Sequence, residues 1–397
     1  MQINTSYQLL SILESFIKEE NYDPDPTIQL HDLMDLASCH GLSPVLYYIL
    51  NRHHDIFQEN ASDIFSQLKT QYIRSSYCSF VQSDGMWEVI HAFHKHGIEL
   101  TLFKGFVLKD LYPLPELRTM GDVDCLIHEK DRSASHQLLQ ELGFECTLST
   151  GDVWVYKRAL LSIEVHTNIA RNGFAGNTDF SSYFMDAMAH TVEQGEYRVF
   201  LPEYHMLFLL YHISKHLSST GAGVRMIMDL AVFALHQDES FDWDWLFSEL
   251  ERLNLTASAS AVFTLANRWF HLDLPVQKKI SETALTYLEK YILSGGVFGF
   301  DGHSTADVYL RRGFAGNKKS RSGVWYRIRL MWIYFFPSAE AMNLKNRPWL
   351  LPAAWVHRWY CGLFKRREHS LKVLHDLRSK ESDTAKEEHE MLKELGL

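Results

Sequence analysis

Asp122 and Asp124 stand two residues apart at the head of an apolar run that continues Cys125-Leu126-Ile127. In an extended strand alternate side chains share a face, so both carboxylates point the same way. Like charges held that close repel unless a cation lies between them or one takes a proton. Glu164 adds a third acid at the centre of a later strand-like run, Leu161-Ser162-Ile163-Glu164-Val165-His166, where an unpaired carboxylate is costly to bury. Side by side, the two strands would bring three hard oxygen donors together, the chemistry that Mg²⁺, or Mn²⁺ in its place, requires. Taken singly, Asp-x-Asp and Glu164 also fit solvated strand residues, so the pattern gains meaning only from its companions.

Those companions point to phosphate. Lys104-Gly105 lies at a strand-to-helix junction before the acids, where glycine permits close backbone approach and lysine adds a point charge. Arg118, four residues before Asp122 in a loop stiffened by Pro113 and Pro115, has the fork geometry to clamp a phosphate. Its plainer alternative is a pair with Glu116 or with the acids themselves. Two Mg²⁺ ions about 3.5–4 Å apart can activate an attacking hydroxyl and hold a leaving pyrophosphate. Glu164 is also the candidate to accept the acceptor's proton.

A second group lies further along. His212 and His216 share a helix face, but no glutamate intervenes and Lys215 beside them disfavours zinc. With Arg225 and Asp229 on the next helix, this face is a candidate lining for the base, the ribose or the acceptor. The alternative is a buried polar network that locks two helices together. His166, on the face of Glu164, is placed to orient a ligand or a substrate hydroxyl.

The elements that must hold these residues follow from periodicity. Residues 1–96 carry apolar side chains at helical spacing, with a break at Asp23-Pro24-Asp25-Pro26. Residues 97–201 read as a mixed α/β block: strands at 99–103, 123–128, 144–147, 153–157 and 161–166, and an amphipathic helix from Asp131 to Leu142. Residues 202–293 return to helix and complete the cleft, and 294–397 form a loop and a helical C-terminal region. Within the last region, basic and aromatic residues interleave from Arg311 to Pro337, a pattern open to single-stranded nucleic acid, to a membrane surface or, preferred here, to a helix docked on its own core. Leu371, Leu374 and Leu377 predict a solvated terminal helix.

The 397 residues carry a net charge of −10, so bulk attraction to nucleic acid or anionic lipid is not expected. Five scattered cysteines without a C-x-x-C pair fit a reduced, cytoplasmic protein, and no apolar run approaches a membrane span.

The order of these motifs resembles the uncharacterised bacterial nucleotidyltransferase family of the DNA polymerase β-like superfamily. The resemblance rests on Lys104-Gly105, Leu108, Tyr112-Pro113, Leu117-Arg118 and Asp122-Val123-Asp124-Cys125-Leu126-Ile127. It extends through Gly143-Phe144, Glu164-Val165-His166, His212-Ile213-Ser214-Lys215-His216, Arg225 and Asp229-Leu230. It covers residues 85 to 240 well and the helical remainder loosely. It implies an α+β fold, a small mixed-sheet polymerase-β-like core flanked by helical N- and C-terminal regions. It further implies metal-dependent transfer of a nucleoside monophosphate from a nucleoside triphosphate to an unnamed hydroxyl acceptor. Asp122, Asp124 and Glu164 would hold the metal, and Lys104, Gly105 and Arg118 the triphosphate. The rival expectation is a non-catalytic nucleotide-binding and protein-interaction module, with peripheral polysaccharide assembly a third reading.

Overall fold

The computed structural model describes residues 3–25, 27–57, 62–176, 178–219, 221–296, 332, 334–337, 348–361 and 382–397. Of the loop expected from residue 294 on, all but residues 294–296 lies outside these residues, as do most of the basic-aromatic segment 311–337 and the leucines at 371, 374 and 377.

Two compact units make up the chain. The larger comprises residues 1–215, 223–279 and 396–397; the smaller comprises 216–222 and 280–395. The larger unit begins with helices α1 (Ile3–Ile17), α2 (Leu30–Cys39), α3 (Ser43–Leu50) and the long α4 (Ser62–Lys95). A seven-stranded mixed sheet follows, with β1 (Thr101–Phe103), β2 (Val123–Leu126), β3 (Glu145–Thr150), β4 (Val153–Arg158), β5 (Leu161–His166), β6 (Thr191–Gln194) and β7 (Tyr197–Phe200) in the order β3-β4-β5-β2-β1-β7-β6. Between strands lie α5 (Gly105–Leu108), α6 (Arg132–Glu141) and α7 (Phe180–Tyr183). After the sheet come α8 (Pro202–Ser218), α9 (Val224–Leu235), α10 (Trp243–Arg252) and α11 (Thr256–Phe270). The smaller unit holds α12 (Glu282–Ser294), α13 (Leu351–Tyr360) and α14 (Ser382–Glu394), with α12 packed on α14.

Period-two alternation decides which sheet face does what. Val123, Cys125, Ile127, Ile163 and Val165 turn to one side and join Met86, Val89, Ile90 and Phe93 of α4 and Leu138 and Leu139 of α6 in a single buried cluster. Their strand neighbours, Asp124, Glu164 and His166, therefore fall on the opposite side. At about 25 cal/mol per Å² of apolar surface removed from water, that cluster fixes the register, since a one-residue slip would turn the acids into the apolar cluster.

The sequence reading omits the hairpin β6–β7, joined by Gly195 and Glu196 with Gly195 at φ +68°. Its run Thr191-Val192-Glu193-Gln194 is weakly apolar and exposed along most of the strand, so side-chain pattern alone did not mark it. β7 nevertheless pairs parallel to β1 and extends the sheet beyond the site. Among the described residues no helix is long and apolar enough to cross a membrane, and no two of the five cysteines are joined in a disulfide.

Candidate active site

β2 and β5 run parallel as neighbours, with Asp124 opposite Glu164 and Leu126 opposite His166. Phe103 of β1 faces Asp124 from the other side. Side chains opposite one another in adjacent strands lie about 4.5–5.5 Å apart at Cβ, so the two acids are neighbours by construction. Ligand atoms of Asp124, Glu164 and His166 all lie within 4.8 Å of one another. Asp122 precedes β2 and reaches solvent, but its carboxyl is crowded by the same group.

The charges of this cluster are interlocked. Lys104 Nζ donates to Asp124 Oδ1 at 2.7 Å, and His166 Nε2 lies 3.0 Å from the same oxygen. Burial opposes ionisation of Asp124, but the Lys104 charge and the His166 hydrogen bond outweigh it and hold the carboxyl well below the usual range. The hydrogen bond from His166 also lowers Glu164 against the effect of burial. His166 Nε2 is 3.6 Å from a Glu164 oxygen, so the imidazole bridges both acids. Asp122 goes the other way: desolvation, then repulsion from Asp124 and Glu164, push it up to about 6. A carboxyl raised by neighbouring carboxylates marks a place where a cation is wanted, and the donors are the hard oxygens suited to Mg²⁺ or Mn²⁺. The residues that come together as a group able to hold a divalent ion are Asp124, Glu164 and His166, with Asp122 at its edge.

Lys104 reaches the acids from a strained elbow. Its backbone has φ 54° and ψ −129°, a conformation that costs a non-glycine residue of order 1–3 kcal/mol. The surrounding structure holds it there: its N–H donates to Nε2 of buried His205 at 3.3 Å, and its ammonium lies 5.4 and 5.7 Å from the rings of Phe103 and Phe208. Phe103, Phe200 and Phe208 pack on each other with centroids 5.3 to 6.1 Å apart, and Phe103 meets the His166 ring edge-on at 5.5 Å. An aromatic wall thus positions both the lysine and the histidine.

Gly105 lies against the Arg118 side chain. A Cβ there would lie 2.7 Å from Arg118 Nη1. Arg118, expected to clamp phosphate, is 8% exposed and bonds Asp229 in a fork: Nε to Oδ1 at 2.8 Å and Nη2 to Oδ2 at 2.7 Å. Tyr112 donates to the same Asp229 Oδ1 at 2.6 Å. Arg225 donates to Thr119 O at 3.0 Å and to Thr119 Oγ1 at 2.7 Å, and Thr119 Oγ1 donates to Gly41 O at 3.0 Å. Arg225 and Asp229 thus join α9 to the loop that carries Arg118, and the hydrogen bonds of this network go to that loop. The reason is pairing strength: a buried guanidinium with a matching carboxylate in reach takes the bidentate geometry.

Lys215 sits nearer the acids. Burial, then the charges of Lys104 and Arg171, draw its ammonium down to about 8, while Asp124 and Glu164 act in the opposite sense. His212, one turn earlier, packs its ring on Phe208 with centroids 6.1 Å apart. His216 belongs to the smaller unit. Sequence reading passed over two contributors. Arg171 is held by a pair of backbone bonds to Tyr211, its N–H donating to the hydroxyl at 2.7 Å and its carbonyl accepting at 3.1 Å. His205 carried no motif; only its contact with the Lys104 backbone identifies it.

No curated protein matches the chain significantly. A solved structure of the antibiotic-resistance factor ANT(2'')-Ia aligns with TM-score 0.33 and 11% identity, covering 49% of this chain and 100% of its own, a likeness too slight to carry an argument. A family model matches residues 26–271, which span α2 to α4, the whole sheet and the helices through α11. The chain belongs to that family, described as uncharacterised nucleotidyltransferase.

Proposed function

We propose that the protein transfers a nucleoside monophosphate from a nucleoside triphosphate to a hydroxyl acceptor, with release of pyrophosphate. The observation that carries this reading is the β2–β5 register, which sets Asp124 beside Glu164 with Asp122 at the rim. Family membership supports the same class of chemistry. A divalent ion bound by these acids would offset the triphosphate charge and that of the leaving pyrophosphate.

The chain's own residues do the rest. Lys104, Lys215 and Arg171 supply positive charge around the acids, where phosphate oxygens would lie. Glu164 accepts the acceptor's proton, and His166 holds Asp124 and Glu164 in place. Arg118 acts at one remove, fixing the loop that ends at Asp122 through its fork to Asp229. Replacing both Asp122 and Asp124 with asparagine should lower Mg²⁺-dependent pyrophosphate release at least about a thousandfold, roughly 4 kcal/mol of transition-state stabilisation, with the circular dichroism spectrum unchanged. Undiminished release in that variant would sink the assignment.

One observation favours a second reading. The Lys104 ammonium already neutralises Asp124 at 2.7 Å, which suits a module that binds nucleotide without metal or turnover. Calorimetry separates the two: nucleotide affinity independent of Mg²⁺, with no transfer to any acceptor, belongs to the module alone.

A further inference from the structure

A cavity of about 250 Å³, lined by none of the site's carboxylates, lies in the larger unit between α2, α3, α4 and the segment Arg118–Met120. Its walls are unusual for their chemistry. Ser38, Gln71, Ser75 and Gln82 line it with hydroxyls and amides, of which Ser38 also bonds Ser43, Ser75 the Glu116 carbonyl and Gln82 the Met120 and Leu160 carbonyls; Arg74 and Arg118 add guanidinium groups, and no carboxylate lines it. Asp229 matches the charge of Arg118. Arg74 is exposed and makes no ion pair or hydrogen bond among the described residues, so the cavity keeps one uncompensated positive charge.

We propose that this cavity binds the acceptor, a hydroxyl-bearing anion of monosaccharide size, such as a sugar phosphate or a sugar acid. The proposal rests on the nucleotidyltransferase reading above. Three features carry it. The volume lies just below the roughly 300–1,000 Å³ of sites for drug-sized ligands, large enough for one sugar ring and too small for a nucleoside triphosphate. The polar lining without acids selects hydroxyls together with an anionic group, which the Arg74 guanidinium can take as a fork. The position is the third: Met120 lines the cavity and Asp122 follows two residues on, a span of at most about 7 Å of chain. On this proposal a ligand anchored at Arg74 extends a hydroxyl toward the acids. Its oxygen would attack the α-phosphorus, forming a new O–P bond as the α–β P–O bond breaks. Pyrophosphate leaves with the electron pair, and the hydroxyl proton passes to the Glu164 carboxylate.

The test is ligand-observed saturation-transfer NMR on the full chain, without nucleotide or metal. The probes are glucose 6-phosphate, ribose 5-phosphate and glucuronate, with glucose and inorganic phosphate as the separated halves. At least one sugar anion should bind, more tightly than either half. Arg74→Ala and the cavity-filling Ser75→Leu should each weaken it at least tenfold, with binding of a fluorescent ATP analogue unchanged. The bound anion should also raise pyrophosphate release at least tenfold over water as acceptor. Absence of binding by every sugar anion, binding equal to that of phosphate alone, survival of binding in both variants, or no stimulation of a basal pyrophosphate release that the wild-type chain does show would each overturn the proposal. Failure of the catalytic reading looks different: the wild-type chain would release no pyrophosphate with any acceptor, or release would persist in the Asp122→Asn, Asp124→Asn double variant, while sugar-anion binding, which needs neither residue, would be unaffected.

Discussion

The imidazole of His205 is 2% exposed, and its Nε2 accepts the Lys104 N–H, so it enters the folded state neutral. Burial draws it down to about 4, against a weaker pull from Asp229. Between pH 6.5 and 4 the unfolded chain takes a proton at this residue that the folded chain refuses. Stability from this group is therefore complete above pH 6.5 and lost as pH falls toward 4, a change of about 3 kcal/mol. Asp122 has the opposite sign: raised to about 6, it binds a proton in the fold first and gains stability as pH falls through 6. His205→Gln should flatten the decline of unfolding free energy between pH 6.5 and 4, and Asp122→Asn should steepen it. Chemical denaturation across that range reads both slopes, and parallel curves for the three proteins would contradict the assignment. Of these two residues only Asp122 could be singled out from its neighbours in sequence. His205 acts through a backbone N–H a hundred residues away, and no spacing rule encodes such a contact.

At the scale of elements, the Arg118–Asp229 fork is the joint between α9 and the loop before β2. Asp229→Asn leaves a buried guanidinium without its counter-charge and should cost about 3–5 kcal/mol, read as a lower urea midpoint with an unchanged slope. Gly105→Ala tests the same joint from the other side. Its Cβ would press on Arg118 Nη1 at 2.7 Å, and the fork prevents that side chain from swinging clear, so overpacking should cost about 1–3 kcal/mol. In the Asp229→Asn background the guanidinium is released, and the Gly105→Ala penalty should shrink by at least about 0.5 kcal/mol, the coupling expected of groups in contact. Strict additivity would show that Gly105 and Arg118 do not constrain one another. The sequence named all three residues, but the fork that joins Arg118 to Asp229 links separate elements, and spacing alone does not encode it.

For the whole molecule, the site should declare itself by mass action. A ligand that binds only the folded state adds about 2.7 kcal/mol at a hundredfold excess over its dissociation constant, so saturating Mg²⁺ should raise the melting temperature of the wild-type chain. The Asp124→Asn variant should show no such rise, and an equal rise in both would place the ion elsewhere. The alternation of acid and apolar residues along β2 and β5 is written in the sequence, as is the helical spacing before and after the sheet. Those patterns follow from local geometry, because strand period and helix period are properties of a few consecutive residues. The pairing of Asp124 with Glu164, the capture of Arg118 by Asp229, the His205 support of Lys104 and the cavity beside Arg74 are different in kind. Each joins residues from separate elements, and their places follow from which surfaces bury apolar area together and which buried charges find partners. Local sequence thus set which residue types could do chemistry, and tertiary packing decided which of them meet.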